Sequence, residues 1–192
     1  MVISVLNPTF EDNAAPFKYA PRMETLSNKK VGFISNGKEG TLSFFTHLDR
    51  LLRSQFKVAD VIWQTKANYS APAEASIIEQ AQAWDLAITG LGDWGSCSSC
   101  SLHDAISSER VGTPAVGVMT NKFVSAAELM AKVLGASDYK FAIIDHPVSS
   151  ASDAELAEKA ERVVDLVKDL ILRPWIKKDS VASNSVRQGV SP

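Results

Sequence analysis

The sequence predicts an α/β domain: a three-layer sandwich in which a five-stranded, mainly parallel sheet lies between two layers of helices. Three observations lead there. Apolar runs of three to five residues recur along the chain, each closed by polar or glycine-bearing residues, as expected of strands buried on both faces. Between them lie segments with apolar residues at helical spacing. The two kinds of segment alternate, which is the pattern of β-α-β units.

Val31-Gly32-Phe33-Ile34 is the first strand, closed by Ser35-Asn36-Gly37-Lys38. Leu42, Phe45, Leu48, Leu51 and Leu52 then mark one face of a helix. Val58 to Ile62 is the second strand. Pro72, near a helix start, precedes Ile77, Ile78, Ala81 and Trp84 on one face. Leu86-Ala87-Ile88 is the third strand and runs into a loop, Gly90 to Cys97, at the start of the segment that holds both cysteines. Ala115 to Met119 is the fourth, followed by a helix with Ala126, Ala127, Met130 and Val133; Phe141 to Ile144 is the fifth. The last helix opens with Ser152-Asp153-Ala154-Glu155, a capping box in which the serine and glutamate side chains accept from each other's backbone N–H. It carries Leu156, Val163, Val164, Val167, Leu170 and Ile171, and Pro174 ends it.

Residues 1–29 read as an irregular arm: Val2 to Leu6 has the look of a short strand ended by Asn7-Pro8, and Pro16 and Pro21 break up the remainder. The arm is expected to pack on the body or on a neighbouring subunit, which suits a homodimer. Residues 30–177 form the α/β domain, and 178–192, rich in Ser, Val and Asn, read as a disordered tail. A chain of 192 residues builds one core without disulfides or metals. The net charge of -2 and the lack of a dense Lys/Arg run argue against nucleic acid as a partner. No apolar stretch approaches the roughly 20 residues that span a bilayer. Asn7, Glu11 and Asp12 stand where a secretory signal needs an apolar core, and two cysteines make no disulfide framework. A cytoplasmic protein acting on a small molecule is the expectation.

Right-handed crossovers favour the flavodoxin-like, Rossmann-related strand order 2-1-3-4-5. Ligands of such sheets bind beyond the carboxyl ends of the strands where the order reverses, here between the first and third strands. The loop Ser35 to Thr41 then faces the cysteine loop, with Thr120-Asn121-Lys122 and Asp145-His146-Pro147 on the same edge. In the cysteine loop Gly90, Gly92 and Gly95 permit tight turns. Ser96 or Ser98 is a candidate N-cap, which places Cys97 or Cys100 in a helical first turn, where the dipole lowers a thiol pKa. Asp93 and His103 are candidates for moving a proton to or from that sulfur. Asn36, Lys38, Trp94, Ser96, Thr120 and Asn121 are the candidate substrate-binding residues.

Other features carry less. Zinc wants four ligands, and the two cysteines find no second Cys/His pair, so no metal is expected. The Ser35–Thr41 loop matches neither the P-loop nor the Gly-x-Gly-x-x-Gly fingerprint, though Lys38 can fix a carboxylate. His47 reads as a solvated helix residue and His146 as a turn residue before proline. Trp63, Trp84 and Trp175 read as packing residues, whereas Trp94, among glycines and serines, lines a pocket.

The run Asp93-Trp94-Gly95-Ser96-Cys97-Ser98-Ser99-Cys100, followed by Ser101-Leu102-His103-Asp104-Ala105, resembles the signature of the UGSC family, a group that includes selenoproteins. Leu6-Asn7-Pro8-Thr9, Ala20-Pro21-Arg22, Val31-Gly32 and Asn36-Gly37-Lys38 extend the resemblance over most of the chain. Selenocysteine or cysteine at the first signature position implies thiol or selenol redox chemistry, or nucleophilic attack on a small molecule. Here Trp94 holds that position and Cys97 the second. The expectation is an enzyme acting on a small anionic molecule with Cys97 as nucleophile or redox thiol and Cys100 as its helper. Two alternatives stand beside it: a non-catalytic ligand-binding or regulatory protein, and a thiol-assisted lyase or isomerase distantly similar to the aspartate/glutamate racemase group. No cofactor is required, FMN being the one candidate for this edge.

Overall fold

The structure, a computed structural model, describes residues 17–172. Its elements are β1 (Lys30–Ser35), α1 (Thr41–Phe56), β2 (Asp60–Thr65), α2 (Ala75–Ala81), β3 (Leu86–Gly92), α3 (Gly95–Arg110), β4 (Ala115–Thr120), α4 (Val124–Val133), β5 (Ala142–Ile144) and α5 (Asp153–Ile171). Every strand pairing is parallel and the order is β2-β1-β3-β4-β5. The order therefore reverses between β1 and β3, as the sequence predicts. The expectations for Val2–Leu6, Pro174, Trp175 and the tail lie outside the described residues.

β3 and β4 are buried along their whole length and β1 along nearly all of it, which explains why they read as continuous apolar runs. On one face Val31, Phe33, Ile88, Val116 and Val118 meet Phe44, Phe45, Leu48 and Leu52 of α1 and Val163, Val164 and Val167 of α5. On the other, Ile34, Ala87 and Met119 meet α2, α3 and α4 through Ile77, Leu102, Ala105, Ile106 and Ala127. Each fully buried Leu, Ile or Phe contributes roughly 1.5–3 kcal/mol relative to exposure.

Several boundaries differ from expectation. The buried stripe of α1 is Thr41, Phe44, Phe45, Leu48 and Leu52, so Leu42, one position off it, is exposed. β2 begins at Asp60, which pairs with Lys30, while Val58 enters the core ahead of the strand. α4 turns Ala127 and Ala131 inward and leaves Val133 exposed. His47 is not merely solvated: its Nε2 lies 2.9 Å from Asp153 Oδ1, which also accepts from Ser43 Oγ. That contact joins α1 to the start of α5, where the Ser152–Glu155 capping box is formed in full.

Residues 17–29 lie on the body, and one buried carboxylate holds Ala20 and Arg22. Glu109 accepts from the backbone N–H of Ala20 (2.7 Å) and of Ala115 (2.8 Å) and pairs with Arg22 at 2.9 Å. Burial pushes its carboxyl above the usual range, and Arg22 and the two N–H groups only partly oppose that. Tyr19 stacks on Tyr139, ring centroids 5.5 Å apart, and Leu26 is fully buried. No helix among the described residues is long and apolar enough to cross a membrane.

Glu109→Ala strips the partner from a nearly buried guanidinium and from two N–H groups at once. The expected loss is roughly 3–5 kcal/mol of folding stability by denaturant titration. A loss well below 1 kcal/mol would show that Glu109 does not hold the arm.

Candidate active site

The junction of β3 with α3 is shorter than the sequence suggests. Gly90 and Gly92, expected in a loop, are the last part of β3, and only Asp93 and Trp94 separate strand from helix. Between Thr89 and Gly92 the register against β4 shifts: three steps on β3 oppose two on β4, from Gly117 to Met119. Such a bulge bends the strand and redirects the side chains beyond it. A Cβ at Gly92 would lie 2.6 Å from Ser98 Oγ and overlap the Met119 sulfur. Only glycine therefore lets the first turns of α3 sit against the end of β3.

The extended backbone of Trp94 is the N-cap of α3, and neither Ser96 nor Ser98 caps the helix. Cys97 falls in the first turn and Cys100 in the second. Both are buried with free thiols. Burial pushes the Cys100 thiol up, and the nearby Lys66 ammonium offsets this only in part, while Asp104 and Cys97 add to it. The expected acidic thiol is thus corrected for Cys100: desolvation, a tertiary effect, outweighs local attraction. Residues three apart on a helix hold their Cβ atoms about 5–6 Å apart, beyond the roughly 3.5–4.5 Å of a disulfide. Closing a Cys97–Cys100 bond would require the start of α3 to distort.

Asp93 spends its carboxylate on the loop after β5. It accepts from the Val148 N–H with both oxygens (3.1 Å each) and from the Ser149 N–H (3.0 Å), and His146 Nδ1 lies 2.9 Å from its Oδ1 as an ion-pair contact and 3.5 Å from the Thr120 hydroxyl. It is itself buried. An ionised carboxylate only accepts, so this contact favours a hydrogen on Nδ1, and Nε2 lies on the opposite side of the ring. The histidine side chain is 31% exposed, and Nε2 has no protein partner among the described residues. Asn121 supports this loop: its Nδ2 donates to Asp145 (2.9 Å) and its Oδ1 accepts from the His146 N–H (3.3 Å). Thr120, buried beneath, donates to the Gly92 carbonyl at 3.1 Å.

The β1 loop approaches from the other side of the switch point. Asn36 is buried, donating to the Leu91 carbonyl at 2.7 Å while its Oδ1 accepts from the Lys38 N–H and the Thr41 hydroxyl, 3.3 Å each. These bonds shape the loop and use one of the two Nδ2 hydrogens. Gly40, at φ 79°, caps α1, and a Cβ there would stand 2.6 Å from the Val148 carbonyl. Lys38 carries its ammonium into the open edge, 4.8 Å from the Tyr69 ring centroid and 5.9 Å from that of Trp94.

Of the sequence-predicted residues, Asp93, Thr120, Asn121, Asn36, Lys38 and Trp94 come together at this edge, and exposed Ser96 stands beside Trp94 on α3. His103 does not join them; it sits further along α3, 3.3 Å from Ser107 and 3.9 Å from Asp104. Neither Asp93 nor His103 is hydrogen-bonded to a cysteine sulfur. Three residues escaped the sequence reasoning: His146, Tyr69 and Lys66. Lys66 is buried with Asp104, their side chains 1% exposed and 2.8 Å apart. It also donates to the Ala71 carbonyl, and Asp104 accepts from the Ala73 N–H. For His146 the signal was its place on the same sheet edge. For Lys66 it was only a lysine directly after a strand.

The model of the UGSC family matches residues 4–173. The chain belongs to the UGSC family. None of the curated proteins matches it. In this UGSC-family member the signature position that the resemblance assigns to selenocysteine or cysteine is Trp94, at the mouth of the edge, and the second, Cys97, lies inside.

With both thiols buried, N-ethylmaleimide is expected to label the folded chain far more slowly than the denatured one. A thiol pushed up is less ionised at any given pH, so Cys100 labelling shifts to more alkaline pH than that of a free cysteine. Rapid labelling of Cys97 in the folded chain at neutral pH would place that sulfur at an accessible surface.

Proposed function

We propose that this UGSC-family chain is an enzyme that transfers a proton on a small anionic molecule at the carboxyl edge of its sheet. His146 is the proton carrier, Asp93 its orienting partner and Lys38 the cation that receives the substrate's charge. The carrying observation is the 2.9 Å contact between His146 Nδ1 and the buried Asp93 carboxylate, with the opposite ring nitrogen unpartnered. In the proposed step the Nε2 lone pair takes a proton from an acidic C–H or O–H while Nδ1–H stays on Asp93, and the proton is later returned to substrate or water. Proton transfer beside a carboxylate is the step that lyases and isomerases share, so this is the reaction class the site favours. A net charge of -2 supports a small molecule over nucleic acid as partner and is compatible with a cytoplasmic setting. The described part of the arm lies on its own subunit and adds no support for a homodimer.

Thiol chemistry at Cys97 has one observation of its own: the residue is in the first turn of α3, the helix end that attracts negative charge. In that alternative Cys97 attacks or is oxidised, Cys100 assists, and Asp93 and His103 handle protons. It requires the site to open, because both sulfurs are buried. No feature of the edge favours FMN over another anion.

The test is deuterium incorporation from heavy water into pyruvate, oxaloacetate and other small carboxylates with acidic C–H bonds, monitored by proton NMR. His146→Ala is expected to lower the exchange rate by roughly 10²–10⁴-fold. Exchange that survives His146→Ala and disappears in Cys97→Ser would assign the chemistry to the thiol.

A further inference from the structure

The rim of this edge exposes more aromatic surface than the fold requires. Trp94 and Tyr69 are each 54% exposed. Phe123 stands 6.4 Å from Trp94, ring centre to ring centre, and His146 stands 5.7 Å from Phe123. Both Trp94 and Tyr69 are carried on anchored backbone. Trp94 is fixed at the start of α3 by the seat at Gly92, and the loop bearing Tyr69 is pinned by the buried Lys66–Asp104 pair.

Lys38 completes the arrangement. Its ammonium faces both rings at cation–π distance, and it has no carboxylate partner among the described residues. Its charge is thus open to an anion from solution, and the aromatic faces on either side fix where that anion must lie. A saturated anion would neutralise Lys38 and leave the indole in water. A flat ring conjugated to a carboxylate meets both: the anion pairs with the ammonium, and the electron-poor ring stacks on the electron-rich indole.

We infer that the ligand of this edge is an aromatic or heteroaromatic carboxylate, its ring stacked on Trp94 and its carboxylate on Lys38. This deepens the proton-transfer assignment and rests on the same edge, but it concerns binding alone.

The experiment is calorimetric titration of the full chain with 2-naphthoate and nicotinate. Cyclohexanecarboxylate, with charge but no π face, and 2-naphthamide, with a ring but no charge, are the controls. Both aromatic carboxylates are expected to bind roughly tenfold or more tightly than cyclohexanecarboxylate. Trp94→Ala is expected to remove that preference and Trp94→Phe to keep most of it. Lys38→Met is expected to abolish the preference for naphthoate over the amide. An indole N–H resonance that shifts with naphthoate and is missing in Trp94→Phe would place the ring directly. Equal affinity for naphthoate and cyclohexanecarboxylate, or a ring preference unchanged in Trp94→Ala, overturns the inference. Because binding is read without turnover, a failed deuterium exchange leaves this result standing, and equal affinities leave the exchange test untouched.

Discussion

The candidate site depends on one buried carboxylate. Asp93, directly after β3, gathers the N–H groups of Val148 and Ser149 and the imidazole of His146. A carboxylate removed from water is costly unless its lone pairs are filled, and charge-assisted hydrogen bonds from two backbone N–H groups, with the imidazole 2.9 Å away, offset that cost. The effect is geometric as well as energetic. The loop after β5 is drawn across the end of β3, and Val148 comes close enough to the start of α1 that Gly40 tolerates no Cβ. Loops from three strands are thereby locked at the switch point of the sheet. His146 inherits its ring orientation from the same contact.

A second buried contact performs the equivalent task on the other side. Lys66 and Asp104 bind the loop after β2 to the middle of α3, so Tyr69 and Trp94 stand on opposite banks with Lys38 between them. The cysteines lie inside for a related reason. Gly92 allows α3 to press onto the end of β3 through Ser98, next to Cys97, and both cysteines are buried in these first two turns. The position that the UGSC resemblance links to selenocysteine or cysteine is instead outside, held by an indole.

The fold was legible because its signals are local. Val31–Ile34 and Ala115–Met119 are apolar throughout since both sheet faces are covered, and Ser152 and Glu155 announce the start of α5 within four residues. Strand order came from the hand of β-α-β crossovers. Boundaries were less legible where glycine served two ends: Gly90 and Gly92 look like a loop but continue β3, and the bulge that ends it has no sequence mark. The shared edge was legible too, since the strand order brings the loops with Asn36, Lys38, Asp93, Trp94, Thr120 and Asn121 together. The pairing of Asp93 with His146 joins residues from separate β-α-β units, and nothing around His146-Pro147 distinguishes an oriented imidazole from a turn residue. An acidic thiol was expected of whichever cysteine held the first turn; Cys97 holds it, while at Cys100, in the second, burial pushes the thiol up, an effect the local sequence does not write.

The central proposal is that Asp93 holds His146 with Nδ1 protonated and Nε2 free to take a proton. It can be examined without any substrate by nitrogen-15 NMR of the imidazole near neutral pH, in the native chain and in Asp93→Asn. An Nδ1–H tautomer in the native chain, with its proton signal shifted downfield by the carboxylate and lost in Asp93→Asn, is the expected result. An Nε2–H tautomer, or a spectrum unchanged by Asp93→Asn, would contradict it.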